Sequence, residues 1–156
     1  MESVYLETTV ISYLVARPSR DLLVAAHQQT TQDWWTDRRN KFECCISQVV
    51  IDEASAGDPA EVTKRMTAIQ GLPVLALVDE AKVLTQAILA TGVIPPRAVR
   101  DAAHMAVAAV HEIDYLLTWN CKHLANARIM RKMTLVCETL GWRLPVMCTP
   151  EELMED

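Results

Sequence analysis

Glycine is scarce. The 156 residues hold four, at positions 57, 71, 92 and 141, and each stands where a helical pattern stops. No glycine-rich loop is left to cradle a nucleotide phosphate, and no nucleophile elbow can be built. The five cysteines are odd in number and show no C-x-x-C spacing. Cys44 and Cys45 are adjacent; Cys121, Cys137 and Cys148 are scattered. This excludes a disulfide framework and points to a reduced, cytoplasmic protein with thiols as plain core residues. A zinc site at Cys121 and His123 would need further ligands, and none lies nearby in sequence. No apolar run approaches the roughly 20 residues of a membrane span. The start, Met1-Glu2-Ser3, lacks the basic segment of a secretory leader. Internal repeats, low-complexity tracts and domain linkers are all missing.

What remains is a chain that is 51% hydrophobic. Residues 1–156 are expected to fold as a single domain, long enough for a real core. The net charge of −5 argues against broad electrostatic binding of duplex nucleic acid. The charge is uneven, because Glu151, Glu152, Glu155 and Asp156 crowd the tail and the rest is near balance. Basic residues cluster at Arg17-Arg20, Arg38-Arg39-Lys41, Arg97-Arg100 and Arg128-Arg131-Lys132. These read first as solvated faces; a basic rim around an acidic site is the alternative.

Short β-prone runs alternate with helical periodicity. Strands are expected at 4–6, 42–47, 72–75, 115–118 and 144–148, the first central in the sheet and the last at an edge because of Pro145. Helices are expected at 10–16 (capped by Thr8 or Thr9), 22–40, 48–56, 60–70, 79–91, 97–111 and 124–133. Residues 135–140 suit either a helix continuation or a strand. Thr149 opens a final cap and helix start. The class is α/β with a mainly parallel sheet. The stretch Arg97–His123 organises the rest: a helix apolar nearly all round from Ala102 to Val110, then the strand Tyr115–Thr118 ending in Trp119-Asn120. Ligands of open α/β sheets bind beyond the strands' carboxyl ends, which makes Asp101 and Asn120 candidates for one site.

Acids fall at matching points. Glu7 follows the first strand, Glu53 lies in the helix after the second, and Asp101 opens the helix before the last core strand. If the strands are parallel, the three share one sheet edge with Asn120. Clustered carboxylates repel unless a cation joins them. Mg²⁺ or Mn²⁺ suits such a set and would serve phosphoryl displacement. His104, three residues after Asp101, reads as a satisfied, partly buried histidine rather than a ligand. Trp34 and Trp35 read as packing residues, and Trp119 as packing at the sheet edge rather than as a base-stacking platform.

The stretches VYLETTVISYL at 4–14, VVIDEASAGDP at 49–59 and VRDAAHMAVAAVHEIDYLLTWNCKHLAN at 99–126 together resemble the PIN-domain family, and within it the ribonuclease toxins of the virulence-associated protein C type. The resemblance runs through Leu6-Glu7-Thr8-Thr9, Glu53, Asp101 and Leu116–Asn120, in order along nearly the whole chain. It implies a three-layer α/β/α sandwich and divalent-metal-dependent cleavage of RNA. It also implies a small antitoxin partner and a homodimer. In the roles carried over, Glu7, Glu53 and Asp101 hold Mg²⁺ or Mn²⁺, while Asn120 and Thr118 orient the metal water or the phosphate. Thr8 hydrogen-bonds near the metal. Two departures stand out: Glu7 replaces the family's usual Asp, and Asn120 and His123 stand where relatives carry acids. His123 is open to a phosphate contact, proton transfer, or a capping or packing role. The departures leave three carboxylates and keep open the alternative of a weakly active or inactive nucleic-acid-binding or regulatory module.

Overall fold

The computed structural model describes residues 1–156. Five strands form one sheet: β1 Ser3–Leu6, β2 Glu43–Ser47, β3 Val74–Leu75, β4 Tyr115–Leu117 and β5 Val146–Cys148. Their spatial order is β3-β2-β1-β4-β5, and every pair is parallel. The sheet is therefore wholly parallel, with β1 at its centre and β5 at an edge beside Pro145. Val4, Tyr5 and Leu6 are all fully buried, as expected for a strand covered on both faces. Tyr5 aligns with Cys45 on one side and with Leu116 on the other. Strand order reverses across β1, because β2 and β4 flank it. Such a reversal opens a crevice at the strands' carboxyl ends.

Seven helices connect the strands: α1 Thr8–Val15, α2 Leu22–Asp37, α3 Gln48–Ala54, α4 Pro59–Ile69, α5 Asp79–Ala90, α6 Val99–Val110 and α7 Ala127–Thr139. Helix α1 packs on α2 and α4, while α5 packs on α6 and α7. The core is a cluster of 29 buried residues. Helix α6 runs through it, buried at every position from Ala102 to Ala109. Its alanines let neighbouring backbones approach and carry little side-chain entropy.

Several boundaries differ from the sequence expectation, each for a local reason. Helix α1 begins at Thr8, capped by the Glu7 carboxylate, which accepts from the Thr9 N–H; neither Thr8 nor Thr9 is the cap. Helix α2 starts after Asp21, whose side chain accepts from the N–H groups of Leu23 and Val24. It stops at Asp37, and residues 39–41 turn more tightly as a 3-10 segment. Residues 135–140 continue a helix as far as Thr139; that helix starts only at Ala127, where Asn126 caps it. Helix α6 starts at Val99, after a 3-10 turn at 96–98. It ends without glycine: Glu112 adopts φ 57°, and the Ile113 N–H closes on the Ala108 carbonyl at 3.0 Å, the left-handed stop that glycine usually supplies.

Several contacts escaped the sequence reading. Asp114 accepts from the Ser3 N–H at 2.8 Å and the Ser3 hydroxyl at 3.0 Å, and the Ser3 N–H holds its carboxyl below the usual range. This staple fixes the β1–β4 register at the end opposite the acids. The tail's Asp156 meets Arg38 at 2.6 Å and Lys41 at 3.6 Å, so part of that basic cluster is neutralised internally. Arg39 lies over the Trp35 ring, 4.2 Å from its centroid.

No helix is long and apolar enough to cross a membrane. All five cysteines are free. Burial pushes the thiols of Cys45 and Cys148 up to about 12, and Cys121 alone is exposed. Reactivity follows thiolate fraction and access. Iodoacetamide at neutral pH is expected to label Cys121 first, and Cys45, Cys137 and Cys148 only after unfolding. Peptide mass mapping checks this; rapid native labelling of Cys45 or Cys148 contradicts the packing.

Candidate metal centre

The site is assembled by the register of β1 with β4. Leu6 aligns with Leu117, so the next residues, Glu7 and Thr118, meet just beyond the strand ends. The Glu7 N–H donates to the Leu117 carbonyl at 3.0 Å. The Glu7 side chain is buried, with 3% exposure. It accepts from the Thr9 N–H at 3.1 Å, the Thr9 hydroxyl at 2.6 Å and the Thr118 hydroxyl at 2.5 Å. A buried carboxylate needs such donors in place of water, and this sequence supplies them within two residues on one side and from β4 on the other.

Glu53 reaches the same place from α3, the helix that follows β2. Its Oε1 accepts from the Thr8 hydroxyl at 2.7 Å and lies 2.5 Å from His104 Nε2; Oε2 has no protein partner. Burial pushes the Glu53 carboxyl up, but hydrogen bonds from His104 and Thr8 and the charge of exposed Arg100 outweigh it and hold it below the ordinary glutamate value. It is therefore ionised at neutral pH.

His104 comes from α6 and is fully buried. Its Nδ1 lies 2.6 Å from the Tyr5 hydroxyl, which lies 2.6 Å from the Ser47 hydroxyl. Ser47 ends β2 and caps α3 through the Val49 N–H. Burial drives the Tyr5 phenol well above its usual range, so it stays a neutral hydroxyl. One ligand atom each from Glu7, Glu53 and His104 lie within 4.8 Å of one another.

Asp101 sits one turn before His104, in the first turn of α6. Its Oδ2 lies 2.8 Å from His123 Nδ1, with both side chains mostly buried. Asn120 turns its Oδ1 onto the N–H groups of Lys122 and His123, at 3.2 and 3.0 Å, and so shapes the loop that carries His123. The geometry thus joins Glu7, Glu53, Thr8 and Thr118, and forms Asp101 and His123 into a second pair on the same helix-loop unit. The sequence reads His104 as a satisfied, partly buried histidine; both ring nitrogens do have partners, but the ring is fully buried and its Nε2 faces Glu53 and Glu7. Trp119 packs rather than lying open: its ring stacks 4.1 Å from that of His27, and its indole N–H donates to Thr31 at 2.7 Å.

Two carboxylates and an imidazole, close-set and held by hydroxyl and N–H donors, match the donor chemistry of a divalent cation. A surface cleft lined by Glu2, Lys41, Phe42 and Tyr115 lies at the other end of β1 and β4 and offers no comparable set.

No family model matches this sequence, and no curated protein matches it. Among solved structures, the fold is similar to a chain in the crystal structure of VapBC2 from Rickettsia felis bound to a DNA fragment from their promoter. The TM-score is 0.55 at 12% identity, over 94% of this chain and 96% of that one. The likeness covers both chains almost end to end, and the chain has the α/β architecture, a parallel sheet between helices, that its resemblance to PIN domains implies.

Proposed function

We propose that the chain is a divalent-metal-dependent endoribonuclease, the toxin of a toxin–antitoxin pair, acting in the cytoplasm as a single domain that dimerises and is held by a small antitoxin. The observation that carries this reading is the meeting of Glu7 and Glu53, 46 residues apart in sequence, at the carboxyl ends of adjacent parallel strands. Like charges this close favour a cation between them. In this reading Glu7, Glu53 and Asp101 supply carboxylates to Mg²⁺ or Mn²⁺. An ion held there would supply an acidified water and charge stabilisation for an in-line phosphodiester displacement.

The chain's own residues hold and orient. Thr118 and Thr9 fix the Glu7 carboxylate, and Thr8 fixes Glu53. Asp101 holds His123 through Nδ1, leaving Nε2 for a phosphate oxygen. Asn120 acts on phosphate or water through the loop it shapes. Arg100, exposed and close enough to bias Glu53, supplies positive charge for the RNA backbone.

The test is calorimetric titration of Mn²⁺ into the wild type and Asp101→Asn, with cleavage of a structured RNA followed in the same preparations. Binding that weakens together with loss of cleavage supports the assignment; full cleavage by Asp101→Asn contradicts it. One observation favours the second reading, a binding module with little activity: His123 already engages Asp101, and the loop's own backbone engages Asn120. That reading predicts RNA or partner binding that survives Asp101→Asn, with no cleavage by the wild type.

A further inference from the structure

We propose that His104 Nε2 is itself a ligand of the divalent ion, adding an imidazole to the carboxylate set so that the centre selects Mn²⁺ over Mg²⁺. The inference rests on the metal-dependent reading above and deepens it.

The geometry carries it. Nε2 lies 2.5 Å from Glu53 Oε1 and 4.0 Å from Glu7 Oε2. Around a six-coordinate ion with bonds of about 2.1 Å, neighbouring donors lie about 3 Å apart and opposite donors about 4.2 Å. Both His104 pairs are therefore near the spacing of donors around one ion, and all three ligand atoms lie within 4.8 Å of one another. His104 is fully buried, and its Nε2 lies within 4.0 Å of both acids.

The support behind the ring is of the kind that ligating histidines have. Such a histidine donates its second N–H to a fixed partner, which sets the tautomer. Here Nδ1 faces the Tyr5 hydroxyl, and Tyr5 faces the Ser47 hydroxyl. Both hydroxyls can donate or accept. Without an ion, Nε2–H donates to Glu53 and Nδ1 accepts from Tyr5. With an ion, Nε2 gives its lone pair to the metal, Nδ1–H donates to Tyr5, and Tyr5 donates to Ser47. The hydroxyl pair can therefore reverse its direction, with Ser47 Oγ donating to Tyr5 in the one state and accepting from it in the other. Mg²⁺ takes oxygen ligands and demands near-ideal geometry, whereas Mn²⁺, a first-row transition ion, also accepts nitrogen, so an imidazole in the set favours Mn²⁺ over Mg²⁺.

Pulsed electron paramagnetic resonance of Mn²⁺ on the full chain reads this directly. Wild type and His123→Gln should both show modulation from a directly bound imidazole ¹⁴N, which changes to the ¹⁵N pattern when histidine is ¹⁵N-labelled. In His104→Gln the nitrogen modulation should vanish, and calorimetric Mn²⁺ affinity should fall about tenfold or more while Mg²⁺ affinity changes less. Because the wild-type isotope experiment needs no substitution at His104, it stands even if that variant fails to fold. Bound Mn²⁺ without nitrogen coupling, or coupling lost in His123→Gln, overturns the proposal while leaving metal dependence intact. A wild type that binds no Mn²⁺ overturns both.

Discussion

Glu53→Gln is expected to lower metal-dependent RNA cleavage by on the order of 10²-fold or more, the range found when one preorganised electrostatic group is removed from a reaction site. The reason is local. Glu53 is ionised because His104, Thr8 and Arg100 outweigh its burial, and its Oε2 is not committed to any protein donor. Gln keeps the shape and can still accept from Thr8, but it carries no charge and turns an amide N–H₂ toward a neighbour. The fold should survive, since Glu53 is on the short helix α3 with its side chain 23% exposed. Initial rates at saturating Mn²⁺, with circular dichroism as the folding control, test this. A folded variant that cleaves at the wild-type rate would remove Glu53 from the site.

Leu116→Ala is expected to destabilise the protein by about 3 kcal/mol, within the 2–5 kcal/mol typical of large-to-small core changes. Leu116 is fully buried. It lies in β4 between Tyr5 of β1 and Met147 of β5, where a cavity cannot collapse without moving two strands. At roughly 2–4 °C per kcal/mol for a chain of this size, the midpoint should fall by about 6–12 °C in calorimetry. The neighbouring Leu117 carbonyl receives the Glu7 N–H, so the loss should also reach the site: the variant's cleavage should fail at a lower temperature than the wild type's. A shift under about 2 °C contradicts the packing described.

The sheet was legible because its strands are buried on both faces and read as short apolar runs. The same burial makes α6 apolar nearly all round, and Pro145 marks the edge at β5. The meeting of Glu7 and Glu53 was legible because one follows β1 and the other lies in the helix after β2, and a parallel sheet gathers such points at one edge. What was not legible depends on contacts distant in sequence. His104 meets Glu53 across 51 residues and Tyr5 across 99, and nothing near it in sequence announces either. The capping of α1 by Glu7 was misassigned because Thr8 and Thr9 are the better caps by type. Register with β4 decided otherwise, by turning the Glu7 carboxylate onto Thr9 and Thr118. Residues 135–140 have an apolar pattern that suits either period; the unbroken α7 resolved it. Asn120 was read by its place after a strand, whereas its side chain closes a local turn, a role that asparagine fills in many loops.

Cleavage of an end-labelled structured RNA by the purified chain would show metal-dependent ribonuclease activity itself. The protein would first be stripped with EDTA, then assayed without metal and after addition of Mn²⁺. No cleavage is expected without metal, discrete fragments once Mn²⁺ is restored, and none from Glu7→Gln under the same conditions. Fragments that form equally in EDTA, or that form equally with Glu7→Gln, would contradict the metal-dependent reading.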